Sequence, residues 1–202
     1  MVKPQALTAN EASVASRVPL KHVHRIIDAG FLAGAVETRR GARMIGAPGL
    51  LALKLAYVTA DVLKPEARRR AVLRVLAGPK EPASREQVVT VEIGGIEAEL
   101  KEGLAELAAA KAMVAVDPEV LGGTPCFVGT RIPVHDVADL LNGGDTVEGL
   151  LRGYPALDER RIRLAPIFAA AYPRRGRPPA PPWRSGKPIA SETLRLEDLP
   201  PA

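Results

Sequence analysis

The chain holds a single cysteine, Cys126. One thiol excludes an internal disulfide framework and fits a reducing compartment. Aromatics are scarce, with one Trp, three Tyr and three Phe among 202 residues. Ala, Val and Leu supply the apolar bulk instead, which suits small helical units. No apolar run approaches the roughly 20 residues of a membrane span, and Met1 to Asn10 lacks the apolar centre of a signal peptide. The chain therefore reads as soluble and cytoplasmic. His22, His24 and His135 are its only histidines, and with Cys126 they make no set at metal-ligand spacing. No Lys-Ser/Thr pair follows Gly122, Gly123 and Gly129, so a phosphate loop is unsupported, and no convergent set of acids points to a nuclease. No catalytic residue, metal or cofactor is expected. A binding protein is the class that remains.

What the chain does have is basic charge at its two ends. The formal net charge is +5. Residues 1–45 carry seven Lys or Arg against three acids, and residues 173–187 carry Arg174, Arg175, Arg177, Arg184 and Lys187 with no acid. Each end favours an acidic or polyanionic partner.

The N-terminal end has local signals of a DNA-binding head. Thr8 with Glu11 is a capping box, so a short helix should run to about Ser16. Val18-Pro19 breaks it, and Pro19 is expected at the first position of a second helix, with Leu20, Val23, Ile26 and Ile27 at helical spacing and Gly30 as the stop. Lys21, His22 and Arg25 fall on that helix's free face and are expected to reach the major groove. Two short strand-like runs, Ala35 to Thr38 and Ala42 to Ile45, flank Arg39-Arg40-Gly41 and read as a hairpin. Its Arg39, Arg40 and Arg43 are expected on phosphates, as the wing beside a recognition helix. This order resembles the MerR-type winged helix-turn-helix.

Leu50 to Leu63 is apolar nearly all round and should be a buried or dimer-forming helix. Pro65 opens another, whose Arg68, Arg69, Arg70 and Arg74 are expected to form a solvated face. After a linker over residues 78–84, Val88 to Ile93 reads as a strand ended by Gly94-Gly95. Ile96 to Met113 then reads as a helix, with Ile96, Leu100, Leu104 and Leu107 as core or dimer contact. In a second unit, helices are expected over Val134 to Leu141, then through Arg152 behind a cap at Asp145 or Thr146, then from Asp158 to about Tyr172. Pro166 should kink or split the last one. Asp136 and Asp139 read as a solvated face, and Thr130-Arg131 as an internal cap and salt bridge. Beyond Tyr172, Pro178, Pro179, Pro181, Pro182, Pro188, Pro200 and Pro201 forbid regular structure, yet Trp183, Ile189, Leu194 and Leu196 are spaced among them. Such a tail orders on a partner, with bulky side chains and arginines as anchors.

Asp117-Pro118-Glu119-Val120-Leu121-Gly122-Gly123-Thr124-Pro125, then Gly129-Thr130-Arg131-Ile132-Pro133-Val134, Gly143-Gly144 and Tyr154-Pro155-Ala156-Leu157 resemble a small helical domain of unknown function found in VapB-type antitoxins. The resemblance implies a homodimer that represses its own operon by binding operator DNA and neutralises a PIN-domain ribonuclease toxin. A basic tail suits the toxin's acidic metal site, because a guanidinium pairs bidentately with carboxylates. Arg174, Arg175, Arg177, Trp183, Arg184, Lys187, Leu194 and Leu196 are the residues expected on the toxin. The competing expectation is a stand-alone winged helix-turn-helix transcription regulator whose second domain senses a ligand.

The fold class expected is mainly α. It comprises a winged helix-turn-helix head with following helices (1–80), a helical middle with a short strand (81–116), a small helix-turn-helix-like bundle (117–172) and an extended C-terminal tail (173–202).

Overall fold

Residues 6–39, 41–77 and 93–174 are described by the structure, a computed structural model. Helix α1 (Ala9–Ser16) begins where the capping box places it. The Glu11 amide donates to Thr8 Oγ1 at 3.3 Å, and the Thr8 amide donates to Glu11 Oε2 at 2.8 Å. Arg17 closes α1 in the left-handed region, with φ 53°. Pro19 then serves as N-cap to α2 (Leu20–Asp28), one position earlier than expected. The hairpin forms as β2 (Val36–Arg39) and β3 (Ala42–Ile45), in register from Val36 opposite Ile45 to Arg39 opposite Ala42.

A third strand was not expected. β1 (Leu7–Thr8) pairs antiparallel with the other edge of β3, giving the sheet order β1-β3-β2. Two residues carry no alternation to read, and only the neighbouring strand edge makes them a strand. Because Thr8 ends β1 and caps α1, the hairpin is bonded to the start of α1.

Helix α3 (Ala47–Val58) starts and ends earlier than expected, with Pro48 in its first turn and Thr59 at its end. The Thr59 hydroxyl donates to Leu55 O at 2.7 Å, an alternative to continuing the helix. The apolar run is buried over Ala52–Ala56. Helix α4 (Pro65–Ala77) packs on α3. Its arginines are not all solvated: the guanidinium carbons of Arg68 and Arg69 lie 4.6 and 5.9 Å from the Phe31 ring centre. Helix α5 (Ile93–Ala112) includes Gly94 and Gly95 in its first turn, so they do not end a strand there. The rest of the expected strand, residues 88–92, lies outside the described residues.

The second unit opens with β4 (Val114–Ala115) paired to β5 (Cys126–Phe127) across an irregular loop. Helices α6 (Val134–Asn142), α7 (Val147–Gly153) and α8 (Glu159–Ala171) follow. Thr146 caps α7 and Asp158 caps α8, each accepting an amide proton at 3.0 and 2.8 Å. Pro166 does not split α8. It denies Ile162 O a helical donor, but Ile162, Ala165, Phe168 and Ala171 are buried against neighbouring helices and keep the element whole.

Among the described residues the interior falls into two apolar clusters. The first gathers α1, α2, α3 and the outer half of α5, the second the motif loop, α6, α7 and α8. Helix α5 serves both along one buried stripe, Ile96, Leu100 and Leu107 packing into the first and Ala110 into the second. It crosses α1 at Gly103, where an added Cβ would stand 2.2 Å from Ala15 O. Only glycine allows that approach.

Candidate functional site

The sequence-expected DNA-facing residues fall on two neighbouring elements. On α2, Lys21, His24 and Arg25 are exposed. Val23 and Ile26 of the same helix are buried, and they fix which way it faces. His22 differs from the expectation. It is half-buried with its ring edge-on to Tyr57, 5.3 Å between centres at 71°. Tyr57 lies on α3, invisible to any local reading of α2. His24 is the exposed one; its spacing of three from Lys21 is the signal that could have found it.

On the hairpin, Arg39 and Arg43 are exposed, and Arg40 lies outside the described residues. Both described arginines are paired. Arg39 donates to Glu37 Oε2 at 2.7 and 3.0 Å, and Arg43 reaches Asp28 Oδ1 at 2.5 Å. Asp28 is the last residue of α2, so this pair sets the wing's position beside the helix. The charge near the wing is thus partly compensated by its own fold. Arg17 is committed in the same way, to Glu102 at 2.9 Å and Glu106 at 3.4 Å on α5.

The two units meet behind this surface. Glu11, already bonded to the Thr8 amide through one oxygen, accepts the Tyr172 hydroxyl on the other at 2.6 Å. Burial first, and then that hydrogen bond, hold the Tyr172 phenol well above its ordinary value. His135, nearly buried on α6, bonds Tyr172 O at 2.8 Å and stands edge-on to Phe168. Arg174, expected on a toxin, is bound within its own chain to Asp136 and, at 3.3 Å, Asp139. Those two acids are one turn apart on α6 and exposed, as expected, but they are paired with this arginine. Nothing local links them to a residue 38 positions away. Arg175, Arg177, Trp183, Arg184, Lys187, Leu194 and Leu196 lie outside the described residues. A cleft of about 1720 Å³ runs between the units, with Asn10, His24 and Arg43 on the head side and Thr124, Asp136 and Arg174 on the other.

The motif loop packs its glycines where backbone geometry requires them. Leu121, Gly122 and Gly123 have φ of 49°, 63° and 83° in succession, a left-handed run that side chains resist. Thr130 shapes the next turn, its hydroxyl donating to Phe127 O at 2.9 Å and accepting the Ile132 amide at 3.1 Å. Arg131 is exposed and makes no ion pair among the described residues, contrary to the salt bridge expected of it. Cys126 is buried beside this loop, and burial pushes its thiol pKa up. Among the described residues no group of His, Cys, Asp or Glu is arranged to hold a metal ion, and no helix is long and apolar enough to cross a membrane.

Residues 114–169 match the family described as "Protein of unknown function (DUF433)". The chain is 36% identical over 187 residues to the uncharacterized protein y4eO of Sinorhizobium fredii, covering 86% of this chain and 84% of that one. The chain belongs to the DUF433 family. The family segment thus runs from β4 to near the end of α8, and Arg174 and the head lie outside it. A crystal structure of Rv2018 from Mycobacterium tuberculosis is similar at 18% identity and a TM-score of 0.34, over 80% of this chain and 96% of that one.

Proposed function

We propose that this DUF433 protein is the antitoxin of a type II toxin-antitoxin pair, one that binds operator DNA through its head and occludes the acidic metal site of a PIN-domain ribonuclease with its basic C-terminal residues. The observation that carries the DNA half is the row of Lys21, His24 and Arg25, exposed on α2 beside a hairpin that Asp28 and Arg43 hold in place. In this reading α2 enters the major groove and the wing rests on phosphates. Asp28 and Glu37 temper the wing's charge, so Lys21 and Arg25 carry more of the binding than Arg39. The toxin half rests on the VapB resemblance and on Arg175, Arg177, Arg184 and Lys187, since Arg174 is held by α6.

Two measurements test the halves separately. Lys21→Ala with Arg25→Ala should weaken operator binding at least tenfold, while Arg39→Ala weakens binding to every sequence and lowers the salt slope by about one. Intact operator affinity in the double variant would refute the assignment of α2. A chain ending at Arg174 should bind operator normally and fail to inhibit a nuclease encoded beside it; full inhibition would refute the tail's role. The interdomain cleft favours a second reading, a stand-alone regulator whose cleft takes a small ligand. That reading expects no toxic neighbour and full repression by the shortened chain.

A further inference from the structure

Helix α5 buries Ile96, Leu100, Gly103, Leu107 and Ala110. One step round the helix, Glu97, Lys101, Leu104, Ala108 and Lys111 form a second stripe, all exposed. This stripe walls a largely apolar groove of about 610 Å³, with Leu7, Leu50 and Leu51 on the opposite side. Leu104 at its centre keeps 39% of its surface exposed.

The charges on the stripe are arranged symmetrically. Glu97 precedes Leu104 by seven residues and Lys111 follows it by seven, about two helical turns or 10.5 Å in each direction. An antiparallel copy of α5 crossing at Leu104 sets each Glu97 opposite a Lys111 of the other copy. Two opposite-charge pairs arise from one surface, as a two-fold axis requires. A parallel crossing would set Glu97 against Glu97. Among the described residues Glu97 forms no ion pair, and Lys111 is engaged only at 6.0 Å from the Tyr172 ring.

We infer that this groove is the interface of a two-fold homodimer, α5 against α5 in antiparallel register, with Leu104 of each copy seated in the groove of the other. It deepens the operator-binding reading by presenting two α2 helices on one particle. Its test uses neither DNA nor toxin, so the two stand or fall separately.

Sedimentation of the full chain should give a dimer. Leu104→Glu should give a monomer. Glu97→Lys alone, or Lys111→Glu alone, should weaken association at least tenfold, and the two together should restore it. Leu104→Cys should oxidise to a covalent dimer, because the axis passes there and Cys126 is only 3% exposed. A monomeric parent chain, single reversals without effect, or a double reversal that restores nothing would overturn the interface. So would a monomer whose Leu104→Cys thiol resists a soluble reagent, since the groove would then be covered within the same chain.

Discussion

Tyr172 shows how much one side chain binds together. Its hydroxyl donates to Glu11, whose other oxygen caps α1, and its carbonyl accepts from His135 on α6. Tyr172→Phe should cost about 1.5–3 kcal/mol, the range for a hydrogen bond to a charged group. The sign of the pH effect follows from the direction of the shift. The folded phenol titrates above its ordinary 10.0, so its contribution is whole below that value and drains away as the pH climbs past it. Urea midpoints at neutral pH and about pH 11 should therefore converge in the Phe variant relative to the parent. Equal alkaline losses in both would remove Tyr172 from the account. The capping role of Glu11 was legible in Thr8-x-x-Glu11. Its bond to Tyr172, 161 residues away, was not, because spacing reports only neighbours along the chain.

At the scale of elements, two substitutions separate packing from propensity. Gly103→Ala would add a methyl where Ala15 O already stands 2.2 Å away. One backbone must retreat, so a cost of about 1–3 kcal/mol is expected, read as a lowered Tm. An unchanged Tm would mean that α1 and α5 are not in contact there. Pro166→Ala should act the other way, since proline inside a helix is less favourable than alanine by about 3 kcal/mol at most. A fall in stability would show instead that the ring's packing outweighs the missing hydrogen bond. Helix starts with a local cap were legible: Thr8 and Asp158 bond where the sequence placed them, and of the two candidates Asp145 and Thr146 it is Thr146 that caps α7. Strand β1 and the helical placement of Gly94-Gly95 were not, since the partner strand and the burial of α5 decide them.

For the whole molecule, the shared helix α5 makes the two interiors one cooperative unit. Ile162 is fully buried in the second cluster, and Ile162→Ala should cost about 2–5 kcal/mol. Hydrogen exchange of amides around Val23 and Ile26 in the first cluster should accelerate with it. Loss of protection confined to residues 126–171 would show that the units unfold independently. The candidate DNA surface was legible as a list of residues, because exposed basic positions at helical spacing declare a face. What the list omitted is what each charge already holds. The mainly helical class, the caps, the β2–β3 hairpin and the family motif were determined by the sequence itself, through interactions spanning a few residues. The tertiary structure alone decided that His22 turns inward, that Arg43 and Arg174 are held by Asp28, Asp136 and Asp139, and that α5 serves two interiors. Those outcomes depend on which distant surfaces meet, and burial and charge pairing are settled only when they do.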